Sequence, residues 1–515
     1  MTSASPGDVA KMSGIASVSA SARLRKWGSS ASLAFPIGAA LSLAFAPFNV
    51  WPLAIACPAW LFFAWSDATA KRAARLGFLF SAGTFLAGTY WLYNSIYVIG
   101  KAPLPVTVLL MLGLIAIMGA YSALLGFIQA RWFPAHGYAR YCIALPAAWV
   151  MLEWLRGWLF SGFPWLSIGY AAIDTPLAAF APLTGEYGVS FLLALTSGAL
   201  AFLSLRHRQV AGYVVILVPW LLAYPLWYRE WTTPIGQPIT VAIVQGSVPQ
   251  EMKWTQAQHD ATLKLYRDLT VKHFGAQLIV WPESTLPDWA ELLNGYLNTM
   301  WRDASEHGSS LIIGSQHYDA KKDKAYNSVM VLGENFQWYN KRHLVPFGEY
   351  FPVPSIVREW MRLKSLPHSD FASGDADQPP LRVAGQKIGV TICYEDAYGS
   401  SQLAALDEAT LLINVTNDAW FGHSTARYQH LQISRMRALE VGRGLIRAAN
   451  DGISAIIDAQ GRLVRQLPSF KSEVLTGLVQ PRSGLTFYAR VGNWPVISLC
   501  AILLLFAIVR QKESV

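Results

Sequence analysis

The chain has 515 residues, of which 53% are hydrophobic and only 14% are charged. This composition excludes an ordinary soluble protein and predicts several transmembrane helices. The net charge of +9 would suit a nucleic-acid partner, but the basic residues mostly flank apolar segments, so we interpret them as topology signals and contacts with anionic membrane lipids. The four cysteines have no paired spacing, which argues against both a disulfide framework and a zinc site.

Residues 1–28 are small and polar and end in basic residues, and we predict a disordered cytoplasmic tail. A signal peptide is the alternative, but Pro47 directly after Ala44-Phe45-Ala46 makes a poor cleavage position. Residues 29–230 are predicted to form a membrane domain of seven helices, and residues 490–510 an eighth. The apolar runs are Leu33 to Phe48, Trp51 to Trp65, Leu76 to Ile99, Val106 to Ala130, Cys142 to Phe160, Leu177 to Leu205, Gly212 to Tyr228 and Trp494 to Val509.

The connections between these runs differ in charge. Lysines and arginines are concentrated after the second, fourth, sixth and eighth runs, whereas the alternate connections are poor in them. By the positive-inside rule both termini are cytoplasmic, and the region between the seventh and eighth runs lies on the outer, periplasmic side. The basic residues concerned are Lys71, Arg72, Arg75, Arg131, Arg140, Arg206, Arg208, Arg510 and Lys512.

The connection from Gly157 to Pro176 is rich in Trp, Phe and Gly, and we expect it along the outer membrane interface. Three ionisable residues lie in or beside the apolar runs, namely Glu153, Arg156 and Glu186. Ionisable groups in lipid are costly and often functional. We favour a structural ion pair that holds the helices together, and contact with lipid headgroups is the alternative.

From residue 237 to 482 the composition becomes that of a globular α/β domain. Apolar strands alternate with amphipathic helices, which predicts a layered α/β fold, and Asp458-Ala459-Gln460-Gly461 predicts a hairpin turn. The predicted strands are Ile239 to Gln245, Leu278 to Trp281, Ser310 to Gln316, Ser328 to Leu332, Lys387 to Ile392, Leu411 to Val415 and Ile453 to Asp458. The predicted helices are Trp254 to Phe274, Leu292 to His307 and Ala426 to Arg443.

Three reactive side chains lie at strand ends or on a loop of this domain. Glu283 and Cys393 end two predicted strands and Lys341 lies on a loop, where α/β folds place catalytic groups. A cysteine thiolate is a nucleophile, a glutamate takes up its proton and a lysine stabilises an oxyanion, so the three suit acyl transfer. Each also has a structural alternative, which is a buried thiol, a helix-capping acid or a solvated basic residue.

The segments around these residues resemble motifs of the nitrilase, or carbon–nitrogen hydrolase, superfamily in both order and spacing. The matching segments are Trp281-Pro282-Glu283, then Tyr339 to Glu349 around Lys341, then Cys393-Tyr394-Glu395. The superfamily carries a Glu-Lys-Cys triad on an αββα sandwich. Most of residues 33–509 resemble the apolipoprotein N-acyltransferases, a membrane-bound family within it, and Asn414 to Gly422 is similar to that family's segment beside the site.

The resemblance implies a polytopic α-helical membrane bundle of about eight spans with an inserted periplasmic domain, a nitrilase-like αββα sandwich at residues 237–482. It implies a multi-pass enzyme of the bacterial inner membrane that takes an acyl chain from a phospholipid as a thioester on Cys393. The donor would be the sn-1 chain of phosphatidylethanolamine. The acceptor would be the N-terminal α-amine of a diacylglyceryl-cysteine apolipoprotein, in the final step of lipoprotein maturation.

The same resemblance assigns roles to individual residues. Glu283 would act as the base and Lys341 would stabilise both tetrahedral intermediates. Glu349 matches the superfamily's second glutamate and would orient Lys341 or Glu283, while Tyr394 and Glu395 would shape the pocket. No metal, cofactor or nucleic acid is implied, and the sequence has no Gly-rich phosphate loop or metal-ligand cluster to contradict this.

Apolar residues near these motifs are candidate lipid contacts. The stretch from Val353 to Leu366 mixes proline with large apolar residues, and we expect a mobile lid at the membrane surface, with an ordinary packed loop as the alternative. The proposed substrate contacts are Trp254, Trp360, Trp420 and Phe421. Single aromatic residues are more often part of a core, and only their place beside the motifs favours a binding role.

Two other functions share part of this evidence. A membrane-anchored amidase or nitrilase would use the same three residues, but a soluble substrate would need one membrane anchor at most. A transporter whose soluble domain has lost catalysis would work normally after replacement of Cys393 or Glu283. A hydroxylamine-sensitive acyl group on Cys393 would distinguish the acyltransferase from both.

Overall fold

The computed structural model describes residues 30–134, 137–205, 209–250, 252–253, 255–350, 356, 359 and 371–513. The predicted tail at residues 1–28 and nearly all of the predicted lid lie outside these residues, as do Trp254 and Trp360. In the described part of the chain, the region before residue 230 is helical and residues 239–479 contain two large sheets.

A helix lies at each of the eight apolar runs. An apolar segment in lipid has to satisfy its backbone hydrogen bonds internally, and the α-helix does so. These helices are α1 (Ala31–Leu41), α2 (Leu53–Ala64), α3 (Ala70–Gly88), α4 (Leu104–Trp132), α5 (Leu145–Arg156), α6 (Ala181–Leu205), α7 (Val210–Trp227) and, near the C-terminus, α12 (Trp494–Glu513). We call α1 to α7 with α12 the membrane part.

Three helical segments are long and apolar enough to cross a membrane, namely Leu104–Trp132, Pro176–Leu205 and Val210–Trp227. Shorter apolar helices occur at Ala31–Ala44, Leu53–Ala64 and Trp494–Val509. Large apolar side chains on α4 and α7 face away from the protein, such as Leu109 at 70% and Leu221 at 69% exposure. Such faces suit contact with lipid, while the count of eight spans stays a prediction.

Helix α3 approaches α1 closely through glycines. A Cβ at Gly38 would lie 1.9 Å from the carbonyl oxygen of Phe80, and a Cβ at Gly83 would lie 2.1 Å from that of Phe35. No other residue fits at either position without moving a backbone. Small residues at helix crossings are how membrane helices pack closely.

The connection between α5 and α6 is enclosed by protein. Residues 164–173 are all buried, while the expected place of this connection along the outer membrane interface stays a prediction. The hydroxyl of Tyr170 donates a hydrogen bond to the carbonyl of Ala397 in the α/β region at 3.3 Å. The aromatic residues of this connection, such as Trp165 at 1% exposure, are therefore covered by protein, because the sheet domain packs directly on them.

The α/β region is built from two six-stranded sheets. Its strands are β1 (Thr233–Pro234), β2 (Ile239–Gln245), β3 (Leu278–Val280), β4 (Ser310–Asp319), β5 (Lys324–Val331), β6 (Gln337–Asn340), β7 (Leu381–Val383), β8 (Gln386–Ile392), β9 (Leu411–Thr416), β10 (Leu445–Ala449), β11 (Ala455–Ile457), β12 (Leu463–Gln466), β13 (Glu473–Val479) and β14 (Arg482–Ser483). One sheet has the order β13-β2-β3-β4-β5-β6 and the other β12-β11-β10-β9-β8-β7.

The two sheets pack face to face around an apolar core. Ile243 and Val280 of the first sheet belong to the same buried cluster as Ile413 and Ile446 of the second. Helices α8 (Gln256–Val271) and α9 (Asn294–Glu306) cover the outer face of the first sheet. Helix α10 (Ala426–Val441) covers the second sheet, and a short α11 (Phe487–Val491) follows. The domain is therefore an αββα sandwich, as the resemblance implies.

Helix α10 is buried on two sides. Leu431 and Ala438 pack on the second sheet, whereas Ile433 and Met436 belong to one apolar cluster with Ile173 of the membrane part. A helix covered on both sides has no solvent-facing stripe. Polar side chains on α10 are consequently buried and need partners inside the protein.

The strand ends bring the predicted site residues to one end of the sandwich. Strands β2, β3 and β4 are parallel, as are β8, β9 and β10. Cys393 directly follows β8, Lys341 directly follows β6, and Glu283 lies three residues after β3. The carboxyl ends of parallel strands meet at one edge, which is where α/β folds bind ligands.

Candidate active site

Cys393 lies where strand β8 turns into a short 3₁₀ helix, Cys393–Ala397. Its φ is +51°, a left-handed conformation that costs a non-glycine residue about 1–2 kcal/mol and persists only where the surroundings hold it. The residue is buried, and burial together with Glu283 raises the pKa of the thiol, although Lys341 and Thr416 lower it. The resting residue is therefore a neutral thiol, which has to lose its proton to act as a nucleophile.

Lys341 lies within ion-pair distance of two carboxylates, the buried Glu283 and the half-buried Glu349. Its Nζ lies 2.9 Å from Glu349 Oε1 and 3.4 Å from Glu283 Oε1. Burial by itself lowers the pKa of the lysine, but Glu349 and Glu283 outweigh burial and raise the pKa above its ordinary value. The ammonium is therefore charged and stays in place between the two acids.

Glu283 reaches this cluster through a turn that crosses strand β4. Its Oε1 accepts a hydrogen bond from Asn327 Nδ2 at 2.7 Å, and its Oε2 accepts one from the backbone N–H of Asn417 at 2.8 Å. A Cβ at Gly314 of β4 would lie 2.3 Å from the carbonyl oxygen of Pro282, so only glycine lets the turn pass. These contacts fix both carboxylate oxygens beside the lysine ammonium.

Asn327 of strand β5 is a site residue that the sequence reasoning missed. It is buried, and its Nδ2 donates to Glu283 Oε1 at 2.7 Å and to Glu349 Oε1 at 2.8 Å. It therefore holds the two carboxylates side by side, as Lys341 does with its charge. An amide directly before the buried run Ser328–Val331 is the signal that could have identified it, because such a buried group needs a partner.

Glu395 connects two segments of the site. One is the loop that begins at Lys341, here called the lysine loop, and the other is the turn that begins at Cys393, here called the cysteine turn. It is fully buried and accepts backbone hydrogen bonds from Arg342 at 2.6 Å and from His343 at 3.1 Å. It also accepts one from the N–H of Ile392 at 2.8 Å and one from the hydroxyl of Tyr339 at 3.1 Å. These residues flank Lys341 and Cys393 in the chain, so one carboxylate sets the distance between the two segments.

Tyr394 faces the membrane part. Its ring stacks on Trp165 with 6.1 Å between the centroids, and its hydroxyl donates to the carbonyl of Gly162 at 3.3 Å. The hydroxyl of Tyr398 donates to the carbonyl of Ser161 at 3.0 Å. The turn that starts at the cysteine is therefore held from outside by the connection between α5 and α6.

Trp420 and Phe421 lie at the same junction. The carbonyl of Trp420 accepts a hydrogen bond from Ser95 Oγ at 2.8 Å, and that of Phe421 accepts one from Asn94 Nδ2 at 3.1 Å. The ring of Phe421 meets Trp91 edge to face at 4.8 Å between centroids. Both residues thus connect the segment after β9 to the connection between α3 and α4.

Glu153 and Arg156 anchor the connection between α5 and α6. Arg156 Nη1 donates to the carbonyl of Phe163 at 3.1 Å and also to that of Trp165. Glu153 Oε1 accepts from the backbone N–H of Ile168 at 2.9 Å. Both side chains are buried. Their hydrogen bonds run to the backbone of this connection, which they hold against α5.

Glu186 joins membrane helix α6 to catalytic helix α10. Its carboxylate lies 3.2 Å from Arg437 Nη2, and Arg437 Nη1 lies 3.0 Å from Glu440. The backbone N–H of Glu186 donates to Glu440 Oε1 at 2.6 Å. The structural ion pair therefore links the membrane part to the catalytic domain, whereas the sequence suggested a pair among membrane helices.

The site as a whole joins a neutral thiol, a charged lysine and two fixed carboxylates. Such a set can move a proton from sulfur to oxygen and stabilise an oxyanion, which are the requirements of acyl transfer through a cysteine. Among the described residues, no group of three or more His, Cys, Asp or Glu side chains could hold a metal ion.

Two family models match the chain. The model described as the apolipoprotein N-acyltransferase N-terminal domain matches residues 37–199, and the carbon-nitrogen hydrolase model matches residues 240–485. An apolipoprotein N-acyltransferase of Methylococcus capsulatus is 40% identical over 94% of this chain and 96% of its own length. One of Pseudomonas putida is 40% identical over 93% and 96%. The chain belongs to the apolipoprotein N-acyltransferase family.

As a member of that family the chain is an enzyme, an N-acyltransferase with a carbon–nitrogen hydrolase domain. With its apolar helices it is a membrane protein. A CN-hydrolase superfamily protein from Xanthomonas campestris, of solved structure, is similar over 51% of this chain and 97% of that chain, at 17% identity and a TM-score of 0.35.

Proposed function

We propose that this enzyme transfers an acyl chain from a phospholipid, through a thioester on Cys393, to the N-terminal α-amine of a diacylglyceryl-cysteine apolipoprotein. The observation that carries the proposal is the buried cluster of Cys393, Lys341 and Glu283 next to the membrane part. A thiol beside a carboxylate and a lysine suits attack on an acyl carbonyl. Its position suits substrates that are themselves held in a bilayer.

In the first step the thiol proton of Cys393 passes to Glu283, and the sulfur attacks the acyl ester carbonyl of the donor, the sn-1 ester of phosphatidylethanolamine. A C–S bond forms, and the carbonyl oxygen takes up negative charge that the Lys341 ammonium stabilises. The C–O ester bond then breaks, and the lysophospholipid leaves as an alcohol with the proton from Glu283. The enzyme is left as a thioester on Cys393.

In the second step the apolipoprotein amine attacks the thioester carbonyl. A C–N bond forms, Glu283 takes a proton from the amine, and Lys341 stabilises the second oxyanion. The C–S bond then breaks, and the sulfur regains the proton that Glu283 holds. The products are a triacylated lipoprotein and the resting thiol of Cys393.

We assign positioning roles to the residues that touch this cluster. Glu349 lies 2.9 Å from the lysine ammonium and would orient it toward the oxyanion. Glu395 holds the lysine loop and the cysteine turn together through four hydrogen bonds. Tyr394 shapes the wall on the membrane side, and Trp420 and Phe421 lie where a lipid chain would approach.

A cavity of about 250 Å³ at the junction supports entry of substrates from the membrane. Trp154 and Tyr187 line it from the membrane part, His343 from the lysine loop and Tyr398 from the cysteine turn. It therefore adjoins both segments that carry the reactive groups. Mixed apolar and polar walls of this kind suit a lipid that has a polar head and an apolar chain.

We also propose that the enzyme lies in the bacterial inner membrane with its catalytic domain on the periplasmic side. A pair of single-cysteine probes tests this orientation. Leu292 is 69% exposed on the catalytic domain, and Asp67 is exposed between α2 and α3. In spheroplasts, a membrane-impermeant maleimide should label Leu292→Cys at once and Asp67→Cys only after permeabilisation, as the positive-inside rule requires.

The native cysteines, Cys57, Cys142, Cys393 and Cys500, are all buried, so the unmodified chain supplies the background signal. Labelling of Asp67→Cys in intact spheroplasts, with protection of Leu292→Cys, would reverse the assigned orientation. Labelling of both without permeabilisation would place them on the same side and contradict an odd number of spans between them.

Hydrolysis of a small soluble amide is the competing function, because it uses the same three residues. The test is incubation of the purified enzyme with phosphatidylethanolamine labelled in the sn-1 chain. We expect a hydroxylamine-sensitive label on the peptide that contains Cys393, since a thioester is cleaved by hydroxylamine and an amide is not. A diacylated lipopeptide added afterwards should remove the label and carry it as a hydroxylamine-resistant amide.

Phosphatidylethanolamine labelled only in the sn-2 chain is the matched control and should leave the protein unlabelled. If neither lipid labels Cys393, the acyl-enzyme mechanism is wrong and the amidase is favoured. If only the sn-2 label is transferred, the thioester stands but the assigned donor position is wrong.

A further inference from the structure

A buried polar cluster beneath Cys393 has no part in the chemistry proposed above. His430 of helix α10 is fully buried. Its Nε2 lies 3.1 Å from the carbonyl oxygen of Cys393 and 2.8 Å from Asp396 Oδ1. A carbonyl and a carboxylate are acceptors, so Nε2 carries a hydrogen whether or not the ring is charged. The histidine therefore donates to the backbone of the reactive cysteine itself.

The other nitrogen of the imidazole contacts an aspartate and an arginine. Nδ1 lies 3.0 Å from Asp418 Oδ1, which also accepts from the hydroxyl of Thr416 at 3.1 Å. Nδ1 also lies 2.9 Å from Arg447 Nη2. Polar contacts at both nitrogens therefore hold the ring beneath the cysteine turn.

The charges of the cluster balance, which makes its burial tolerable. Arg447 is fully buried and lies 3.1 Å from Asp418 Oδ2 and 3.5 Å from Asp396 Oδ2. Burial and Arg447 lower the pKa of His430, but the two aspartates outweigh them and raise it to about 9. Asp396 and Asp418 therefore favour the charged form of the imidazole.

The position of the ring is fixed from the membrane side as well. The indole of Trp165 packs on His430 with 5.7 Å between the centroids. The imidazole therefore fills the space between the cysteine turn and the connection from α5 to α6. A side chain that is packed on one face and hydrogen-bonded at both nitrogens has little freedom to move.

We propose that His430 is a positioning residue for acyl transfer, because its N–H to the Cys393 carbonyl holds the left-handed turn that keeps the thiol beside Glu283 and Lys341. The proposal rests on Cys393 as the nucleophile of the proposed function. The turn has a φ of +51°, which a cysteine adopts only under external restraint. The hydrogen bond from His430 supplies such a restraint directly at this residue.

A matched pair of amide variants tests the donor. In His430→Gln the side-chain N–H2 reaches the position of Nε2, whereas in His430→Asn it is one methylene too short. Both bury the same amide, so any loss of stability should be similar. We expect single-turnover acylation of Cys393 by labelled phosphatidylethanolamine to fall about 100-fold in His430→Asn and less than about tenfold in His430→Gln. The KM for the donor should change less than about threefold in both.

A second measurement does not depend on any acyl donor. With Cys57, Cys142 and Cys500 replaced by alanine, the rate of alkylation of Cys393 by iodoacetamide reports the placement of the thiol alone. This rate should fall in His430→Asn and be restored in His430→Gln. If the wild type reacts with iodoacetamide but never forms a thioester, the proposed function fails while this comparison still tests the role of His430.

His317 supplies the control for a lost histidine–carboxylate pair. Its Nδ1, on strand β4, contacts Glu291, and its ring stacks on Trp338 at 4.1 Å between centroids. These contacts do not involve the three reactive residues, so His317→Asn and His317→Gln should acylate as the wild type does. Wild-type acylation by His430→Asn would overturn the proposal. Equal defects in His430→Asn and His430→Gln would also overturn it, because they would mean that the N–H to Cys393 is not what matters.

Discussion

Replacement of Cys393 by alanine should abolish acyl transfer and leave the protein folded. The change removes one buried atom, so the structure loses little packing. The reaction loses the sulfur that forms the proposed thioester with the acyl chain. We therefore expect the rate of triacylated lipopeptide formation to fall at least about 10⁴-fold. Mass spectrometry of the lipopeptide product measures the rate, and thermal melting in detergent measures the fold.

Cys500→Ala is the matched control, because Cys500 is also fully buried and free, on helix α12. It should keep wild-type activity with a similar melting temperature. An active Cys393→Ala enzyme would show that the acyl chain never resides on this thiol. The mechanism would then have to be a direct transfer from lipid to amine.

Replacement of Lys341 by methionine should remove both activity and stability. The ammonium is the positive charge between the carboxylates of the buried Glu283 and the half-buried Glu349. Without it, two like charges share one site, and breaking such a buried pair costs about 3–5 kcal/mol. The oxyanion of both steps also loses its cation. A lower melting temperature and absence of the thioester on Cys393 are the expected results.

A double variant separates the two effects. Adding Glu349→Gln to Lys341→Met removes one of the opposed charges, while Glu283 keeps its hydrogen bonds from Asn327 and Asn417. We expect the melting temperature to recover largely and the activity to stay absent. Glu349→Gln alone is the control for stability, and it should form the thioester more slowly than the wild type because Glu349 orients the ammonium. Recovery of activity in the double variant would mean that Lys341 only stabilises the fold and does not stabilise an oxyanion.

The site also explains why the membrane part is more than an anchor. Tyr394 stacks on Trp165, and Glu186 pairs with Arg437. These contacts join the cysteine turn and helix α10 to the membrane helices. The turn that carries the thiol is therefore held by both the sheet domain and the membrane part.

Local patterns in the sequence predicted much of the fold because they depend on neighbouring residues. Strand β2 was predicted with its observed bounds, Ile239–Gln245. The hairpin turn is confirmed, since Asp458 accepts hydrogen bonds from the N–H groups of Gln460 and Arg462, and Gly461 has a positive φ. The strand before Cys393 is likewise predicted from its β-branched and apolar residues, which are typical of a buried strand.

The strands that were missed have patterns that are interrupted or short. Strand β10, Leu445–Ala449, has Arg447 in its middle. In the sequence alone, an arginine at this position indicates an exposed residue and not a buried strand. In the fold this arginine is buried against Asp396 and Asp418, which come from other segments. Its charge is tolerated only because those carboxylates are brought to it, and no local pattern contains that information.

The sequence by itself determined the apolar runs, the alternation of strands and helices and, through the family resemblance, the reactive residues Glu283, Lys341 and Cys393. The tertiary structure decided which groups surround them. Asn327 meets Glu283 from 44 residues away, and His430 meets the Cys393 carbonyl from 37 residues away. Such contacts depend on how sheets and helices pack, because hydrogen bonds between distant segments form only after long-range folding has brought them together.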